Sequence, residues 1–180
     1  RIVGLFATVP NAEDVARWLA RLTERPTVLL RSTYRPVPVR WHYETFRGGR
    51  GDDRTRALTE ATVEVLDRDR SQRTLIFVHA KAVGRAMVAA VRRAGYSTDF
   101  HNADLSRKAR AAIEEKFLRQ GGDLDVLIAT STLAWGANTP ARRVVIADTR
   151  RGTDAVDPID LIQMAGRAGR TAIANAARHL

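Results

Sequence analysis

The sequence predicts an α/β fold in which helices flank a mainly parallel sheet on both faces. Three short runs are apolar at consecutive positions, which is typical of strands buried on both sides: residues 74–79, 124–129 and 144–147. Segments with the apolar spacing of helices separate these runs. Strands joined through helices require crossover connections, and crossover connections make neighbouring strands parallel.

The first quarter of the chain predicts three further strands and one helix. Strands are expected over residues 2–8, 27–30 and 39–46, which are rich in β-branched and aromatic side chains. A helix is expected over residues 11–22, with Asn11 as its N-cap. The apolar side chains of this helix share one face: Val15, Trp18, Leu19 and Leu22.

The rest of the chain alternates between helices and strands. Helices are expected over residues 56–66 and 82–94, from residue 106 and from residue 157, and a strand over residues 98–101. Gly95 is a typical stop residue, because glycine adopts the left-handed conformation at little cost. Ser106 and Asp157 carry N-cap side chains, and Pro158 suits a first helical turn.

Composition excludes several classes of protein and site. No apolar run approaches the ~18–20 residues that span a bilayer, and no signal peptide opens the chain. The absence of cysteine excludes disulfides, cysteine–zinc sites and thiol nucleophiles. It also fits a reducing compartment, so a cytoplasmic or nuclear location is expected.

The charge balance favours a polyanionic partner. Thirty basic residues against twenty acidic ones give a net charge of +10, and only three of the thirty are lysines. Arginine suits phosphate, because its guanidinium group donates two parallel hydrogen bonds. A solvated basic surface without a specific partner explains the same composition, so both interpretations stay open.

The segment ATSTLAWGANTPA (residues 129–141) follows a predicted strand, at the end where parallel sheets bind ligands. Its hydroxyl residues meet the expected start of a short helix, where free backbone N–H groups admit a phosphate. Gly136 permits close approach, and Asn138 offers a donor and an acceptor to a sugar hydroxyl. An ordinary capped turn is the other interpretation.

The segment QMAGRAGR (residues 163–170) places two arginines three residues apart. Gly166 and Gly169 leave bare surface around Arg167 and Arg170, which close approach to a triphosphate requires. A solvated basic helix end, favoured by the helix dipole, is the other interpretation.

Together these two segments resemble motifs V and VI in the second RecA-like domain of a superfamily-two helicase, most similar to the Ski-type group. Four further segments resemble family motifs in the same order along the chain: GLFATVPNAEDVARWL (4–19), STYRPVPV (32–39), LIFVHAK (75–81) and FHNADLSRKAR (100–110). The first resembles motif III and the helix that closes the first RecA-like domain. The resemblance therefore implies two parts: residues 1–24 as the trailing strand and helix of the first domain, and residues 25–180 as the second, with a mainly parallel RecA-like sheet.

The resemblance implies an ATP-dependent DNA or RNA helicase, with this domain forming one wall of the ATP cleft. Arg170 would be the arginine finger, with Arg167 as its partner, and both would protrude from the sheet edge towards the γ-phosphate. Gln163 would contact the nucleotide or its attacking water. The glycines and amide near the nucleotide would be Gly136, Asn138, Gly166 and Gly169.

The resemblance also implies half of a track for single-stranded or partly duplex nucleic acid. Its residues would be His79, Ala80, Lys81, His101, Asn102, Arg107, Thr130, Ser131 and Thr132. Backbone contacts grip without reading sequence, so binding should be salt-sensitive and sequence-tolerant. Whether the track carries DNA or RNA stays open. The other partner implied is the first RecA-like domain, and no membrane or metal site is expected.

The sequence departs from the family pattern in ways that bear on activity. It holds neither a GxxxxGK[ST] loop nor an acidic magnesium motif, so ATP and Mg²⁺ would be held mainly by the first domain, and this chain alone should not hydrolyse ATP. Phe6 replaces the usual serine of motif III. Asp104 replaces a common glycine, and its charge would oppose a phosphate. Phe6, together with the short hairpin region described next, motivates a second interpretation: a catalytically inactive module that serves as a nucleic-acid or partner-binding scaffold.

A further departure concerns the segment before the last helix. The Ski-type group often places a strand-separating β-hairpin there, but only 16 residues lie between Ile146 and Gln163. Any hairpin over residues 149–157 is therefore expected to be short.

Overall fold

The computed structural model describes residues 2–4, 9, 11–32, 38–119, 122–134, 139 and 141–168, apart from the side chains of Thr132 and Ala134. Its contacts divide the chain into two units, Arg1–Pro36 and Val37–Leu180. The domain boundary expected after residue 24 concerns the complete protein and stays a prediction.

The first unit contains one helix, α1 (Ala12–Thr23), as the apolar spacing predicts. None of its residues is buried: Trp18 is 55% exposed and Leu22 is 62% exposed. Asn11 does not cap the helix through its side chain. Instead, its backbone oxygen accepts hydrogen bonds from the N–H groups of Asp14 and Val15. The amphipathic face of α1 is therefore only partly covered by the described residues of this unit.

The predictions of strands over residues 27–30 and 39–46 are wrong. The described residues in these ranges form no strand, although Phe46 packs against the core and Glu44 pairs with Arg68. A strand needs a neighbour to receive its backbone hydrogen bonds, and side-chain propensity does not supply one. The strand expected over residues 2–8 lies largely outside the described residues.

The second unit is built on a four-stranded parallel sheet, which confirms the predicted fold class. The strands are β1 (Thr74–Phe77), β2 (Thr98–His101), β3 (Val126–Ala129) and β4 (Arg143–Ile146). Their order in the sheet is β2-β3-β1-β4. In register, Phe77 lies opposite Ala129 and Ile146, and His101 lies opposite Ala129, so the four carboxyl ends are level.

The helices cover both faces of this sheet. They are α2 (Gly51–Asp67), α3 (Lys81–Arg93), α4 (Arg107–Leu118) and α5 (Pro158–Ala165), with a 3₁₀ turn at Ser131–Ala134. Helix α2 begins five residues before its predicted start, since Asp52 and Asp53 favour a helix N-terminus. Among the described residues no helix is long and apolar enough to cross a membrane.

The core has two layers because successive side chains of β1 point to opposite faces. Ile76 and Val78 pack with residues of α2 and α3, including Leu66 and Met87. On the other face lie Leu75 and Phe77, which belong to a cluster with Phe117, Leu133 and Met164. Gly84 lets α3 lie close to β2, because a Cβ atom there would come within 2.3 Å of the Phe100 ring.

Local signals for helix and turn boundaries are confirmed. Ser106 accepts a hydrogen bond from the N–H of Ala109, and Asp157 accepts one from the N–H of Ile159. The connection between β4 and α5 forms a hairpin of two two-residue strands, β5 (Arg150–Arg151) and β6 (Asp154–Ala155), as short as the sequence predicts. Gly152 enters the turn between them with a φ of +66°.

Candidate functional site

The candidate site is the carboxyl edge of the sheet, defined here as the residues that follow the four parallel strands. It comprises residues 78–81 after β1, residues 102–107 after β2, residues 130–134 after β3 and residues 147–151 after β4. Most of the residues predicted to bind nucleic acid lie there because level parallel strands deliver their following loops to one side.

The segments that contain motifs V and VI pair with each other just past the C-terminal end of α5, two residues before β4 begins. The N–H of Ala141 donates to the backbone oxygen of Arg167 at 3.0 Å, and Ala141 forms a parallel bridge with Ala168. Met164 of α5 and Leu133 of the 3₁₀ turn share one core cluster. Two segments about 30 residues apart in sequence are thus joined by both backbone and side chains.

The structure corrects the expectation that Arg167 protrudes, because this residue is only 6% exposed. It follows the C-cap of α5, and its backbone oxygen is already committed to Ala141. Gly166 is the C-cap residue itself, and Gln163 is half-buried on α5. The other residues predicted at the nucleotide lie outside the described residues: Gly136, Asn138, Gly169 and Arg170.

His79 ties two strand ends together. Its Nε2 donates to the backbone oxygen of Asp148 at 2.7 Å, since a carbonyl can only accept. The carboxylate of Asp148 accepts from Arg54 of α2 at 2.8 Å and from the N–H of Arg150 at 3.0 Å. His79 is therefore held in place by the fold, and the position of Asp148 depends on three partners.

His101 and Asn102, which are predicted to belong to the nucleic-acid track, are buried. His101 is 3% exposed, and its Nε2 donates to Oε1 of Glu114 on α4 at 2.9 Å. The Oδ1 atom of Asn102 accepts from the N–H of Asp104 at 3.0 Å. The N–H of Thr130 donates to the backbone oxygen of His101. Both residues therefore shape the loops of the edge.

Lys81 and Arg107 are exposed and present cationic groups at the edge. The Nζ of Lys81 lies 2.5 Å from Oδ1 of Asp104, and both side chains are largely exposed. Among the described residues Arg107 makes no ion pair. Ala80 precedes α3 without a side-chain cap, so the first N–H groups of this helix depend on other partners. Thr130 and Ser131 are half-buried beside them.

Sequence reasoning gave no role to Arg54 or Glu114, and it marked Asp148 only as a strand end. The pair of Arg54 and Asp148 joins residues 94 positions apart, which no local pattern reveals. The predicted start of α2 at residue 56 left Arg54 outside the helix, whereas the observed start at Gly51 places Arg54 in its first turns. In the part of the chain that the structure describes, no group of three or more potential metal ligands occurs.

The chain resembles known proteins along most of its length. Residues 56–172 match the helicase conserved C-terminal domain. ATP-dependent DNA helicase Hel308 of Pyrobaculum calidifontis is 36% identical over 94% of this chain and 29% of that protein. The U5 small nuclear ribonucleoprotein 200 kDa helicase of Caenorhabditis elegans is 29% identical over 94% of this chain and 10% of that protein. The chain thus spans less than a third of these curated relatives.

A solved structure supports the same assignment. S. cerevisiae Dbp5 bound to RNA and ADP BeF3 superposes with a TM-score of 0.55 at 26% identity, over 65% of this chain and 30% of that one. The family match covers more than half of the chain, and the relatives are helicases of the Ski-type group. The chain therefore belongs to the helicase conserved C-terminal domain family, as the second RecA-like domain of a Ski-type superfamily-two helicase.

Proposed function

We propose that the complete protein is an ATP-dependent DNA or RNA helicase, and that this domain supplies one wall of the ATP cleft and half of the nucleic-acid track. The observation that carries the proposal is the pairing of the two motif segments through Ala141, Arg167 and Ala168. This pairing supports a physical link between the segment that begins at Thr130 and the segment that holds Gln163, as coupling between nucleotide and nucleic acid would require.

The nucleotide role rests on Arg170 as the arginine finger. A positioned arginine neutralises charge that develops on the transferred phosphoryl group, and such a finger is typically worth ~10³–10⁵ in rate. The buried Arg167 has a different task in this proposal: its backbone oxygen holds the segment that precedes Arg170 against residue 141. Gln163 would act on the nucleotide or its attacking water, beside Gly136, Asn138, Gly166 and Gly169.

ATP and Mg²⁺ would be bound mainly by the first RecA-like domain. The sequence contains no lysine-bearing phosphate loop and no acidic magnesium motif, so this chain alone should not hydrolyse ATP. We assign residues 1–24 to that first domain. The exposed apolar face of α1, with Trp18 and Leu22, supports this assignment because such a face is normally covered.

The nucleic-acid role rests on the exposed residues of the edge. Lys81 and Arg107 would contact phosphates by charge, and Ala80, Thr130, Ser131 and Thr132 would contribute backbone and hydroxyl groups. His79, His101 and Asn102 would hold the loops that carry these contacts through their hydrogen bonds within the fold. The RNA in the Dbp5 structure supports a nucleic-acid ligand for a domain of this fold, without deciding between DNA and RNA here.

Replacement of Arg170 tests the proposed function. In the complete protein, Arg170→Ala should lower ATP turnover about a thousandfold or more, while nucleotide affinity changes little. Arg170→Lys is the matched control: it keeps the charge but loses the planar guanidinium group, so it should also be strongly impaired. Turnover and nucleotide affinity are measured separately. Unchanged turnover in Arg170→Ala would exclude the finger assignment.

A catalytically inactive scaffold is the second candidate function, and the burial of Arg167 is the observation that favours it. A complete protein without nucleic-acid-stimulated ATP turnover, but with intact nucleic-acid binding, would establish this alternative. Under either function we propose a cytoplasmic or nuclear location, in keeping with the absence of cysteine.

A further inference from the structure

An ion pair lies at the carboxyl edge, on a lysine that the proposed function assigns to the nucleic-acid track. Lys81 is the first residue of α3, and its Nζ lies 2.5 Å from Oδ1 of Asp104 in the connection between β2 and α4. The strands that precede these two residues, β1 and β2, flank β3 on either side. The pair therefore bridges the edge across the end of β3, which leads into Thr130 and Ser131.

Asp104 is held for this contact by its own turn. Its N–H donates to Oδ1 of the buried Asn102, and the N–H of Leu105 donates to the backbone oxygen of Asn102. An Asx turn of this kind fixes the direction of the chain at the following residue. The backbone of Asp104 is thus fixed by this turn, which keeps its carboxylate within reach of Lys81.

The pair is also easy to open. The side chain of Lys81 is 47% exposed and that of Asp104 is 64% exposed. Water screens such pairs, and exposed ion pairs contribute little to stability. A phosphate that approaches Lys81 can therefore displace the carboxylate, but it must overcome the repulsion of a negative charge that stays fixed nearby.

We propose that Asp104 is an internal competitor for the phosphodiester backbone of a bound strand at Lys81. The inference rests on the proposed nucleic-acid track. Asp104 neutralises Lys81 when the track is empty, and it lowers the affinity of this part of the edge when a strand binds. The consequence is weaker binding of each phosphate that passes Lys81, whereas Arg107, which makes no ion pair with any described residue, keeps its full attraction.

The test is a double-mutant cycle on the full chain with Asp104→Asn and Lys81→Met. Binding is measured with fluorescein-labelled oligothymidylate and oligouridylate over a range of salt concentrations, so that the two arms separate DNA from RNA. Asp104→Asn preserves the shape of the side chain and should raise affinity about three- to tenfold at low salt. Its salt dependence should steepen by about 0.7 in the log–log slope, the value for one additional single-strand phosphate contact.

Asp123→Asn is the matched control for net charge. Asp123 is exposed in the connection that precedes β3, at the opposite edge of the sheet, so the same charge change should leave affinity within about twofold. Lys81→Met should have a small effect in the parent chain and a large one in the Asp104→Asn chain. Thermal unfolding of each variant confirms that the fold is intact.

The outcomes separate this inference from the function on which it rests. Equal affinities for Asp104→Asn and Asp123→Asn, or an equal effect of Lys81→Met in both backgrounds, would overturn the competitor role while leaving the track in place. If the parent chain shows no salt-dependent binding and Arg107→Gln changes nothing, the track itself is excluded, and the competitor role with it.

Discussion

The two edges of the parallel sheet use their basic residues differently. At the amino edge, which precedes the strands, arginines are bound within the fold. Arg143 donates to the backbone oxygens of Val65 at 2.5 Å and Asp69 at 2.6 Å, and to Oγ1 of Thr74 at 3.0 Å. Arg73 donates to the backbone oxygens of Phe117 and Arg119. These contacts satisfy carbonyl groups at the ends of α2 and α4 that helices leave unpaired.

At the carboxyl edge, carboxylates of the chain pair with two of the nearby cations. Asp104 pairs with Lys81 and Asp148 pairs with Arg54, while Arg107 has no ion-pair partner in the described ranges. A net charge of +10 is therefore a poor guide to the location of a polyanion. The position of each arginine relative to the strand ends distinguishes a structural role from a ligand-binding one.

The largest expected effect concerns the amino edge. Arg143→Met should lower the free energy of unfolding by about 2–4 kcal/mol, because buried carbonyl groups lose their donors. Partial burial lowers the pKa of the Arg143 guanidinium, in keeping with its hydrogen bonds inside the fold. Urea denaturation measures the loss, and oligonucleotide affinity of the folded variant should not change.

Arg142 provides the control for this variant. Its side chain is exposed and lies one position before Arg143, so Arg142→Met should change the unfolding free energy by less than about 0.5 kcal/mol. Equal losses for the two variants would contradict the assignment of Arg143 to the ends of α2 and the adjoining loop.

At the carboxyl edge we expect the opposite result: a loss of nucleic-acid binding without a loss of stability. Arg107→Gln should weaken nucleic-acid binding about three- to tenfold at low salt and reduce the salt slope by about 0.7, since one phosphate contact is lost. Its thermal stability should stay unchanged because the side chain is exposed. Arg142→Gln removes the same charge at the amino edge and should leave nucleic-acid affinity unchanged. An equal loss of affinity in both variants would contradict the assignment of nucleic-acid binding to the carboxyl edge.

The smallest effect concerns acid stability at the amino edge. Hydrogen bonds from Ser71 and then Gln72 lower the pKa of Asp69 below its ordinary value. A carboxyl with a depressed pKa in the folded state stabilises the fold above its unfolded pKa, and this stabilisation is lost as the pH falls through the folded pKa. In Asp69→Asn, unfolding free energy should therefore depend less steeply on pH below about 4. An unchanged slope would contradict this role.

The sequence predicted those features that depend on neighbouring residues. The caps at Ser106 and Asp157, the stop at Gly95 and the short hairpin each follow from a few adjacent positions. The parallel sheet was predicted from nearly continuous apolar runs, which are typical of strands buried on both faces. The convergence of motifs V and VI needed the resemblance as well, since spacing alone does not bring residues 141 and 168 together.

Features that depend on distant partners were not predicted. Residues 39–46 have strand propensity but no strand beside them, and residues 27–30 share this lack in the described part of the chain. The burial of Arg167 and His101 results from tertiary pairing with Ala141 and Glu114. A polar residue at a strand end looks the same in sequence whether a helix covers it or water does.

The backbone bridge between Ala141 and Ala168 has a mechanical consequence. A hydrogen-bonded pairing resists separation, so residue 168 cannot move far while residue 141 stays still. Under the proposed function, a movement at the ATP cleft would be transmitted through this bridge to the segment that begins at Thr130. The bridge would thus connect the proposed nucleotide site mechanically to the proposed nucleic-acid site.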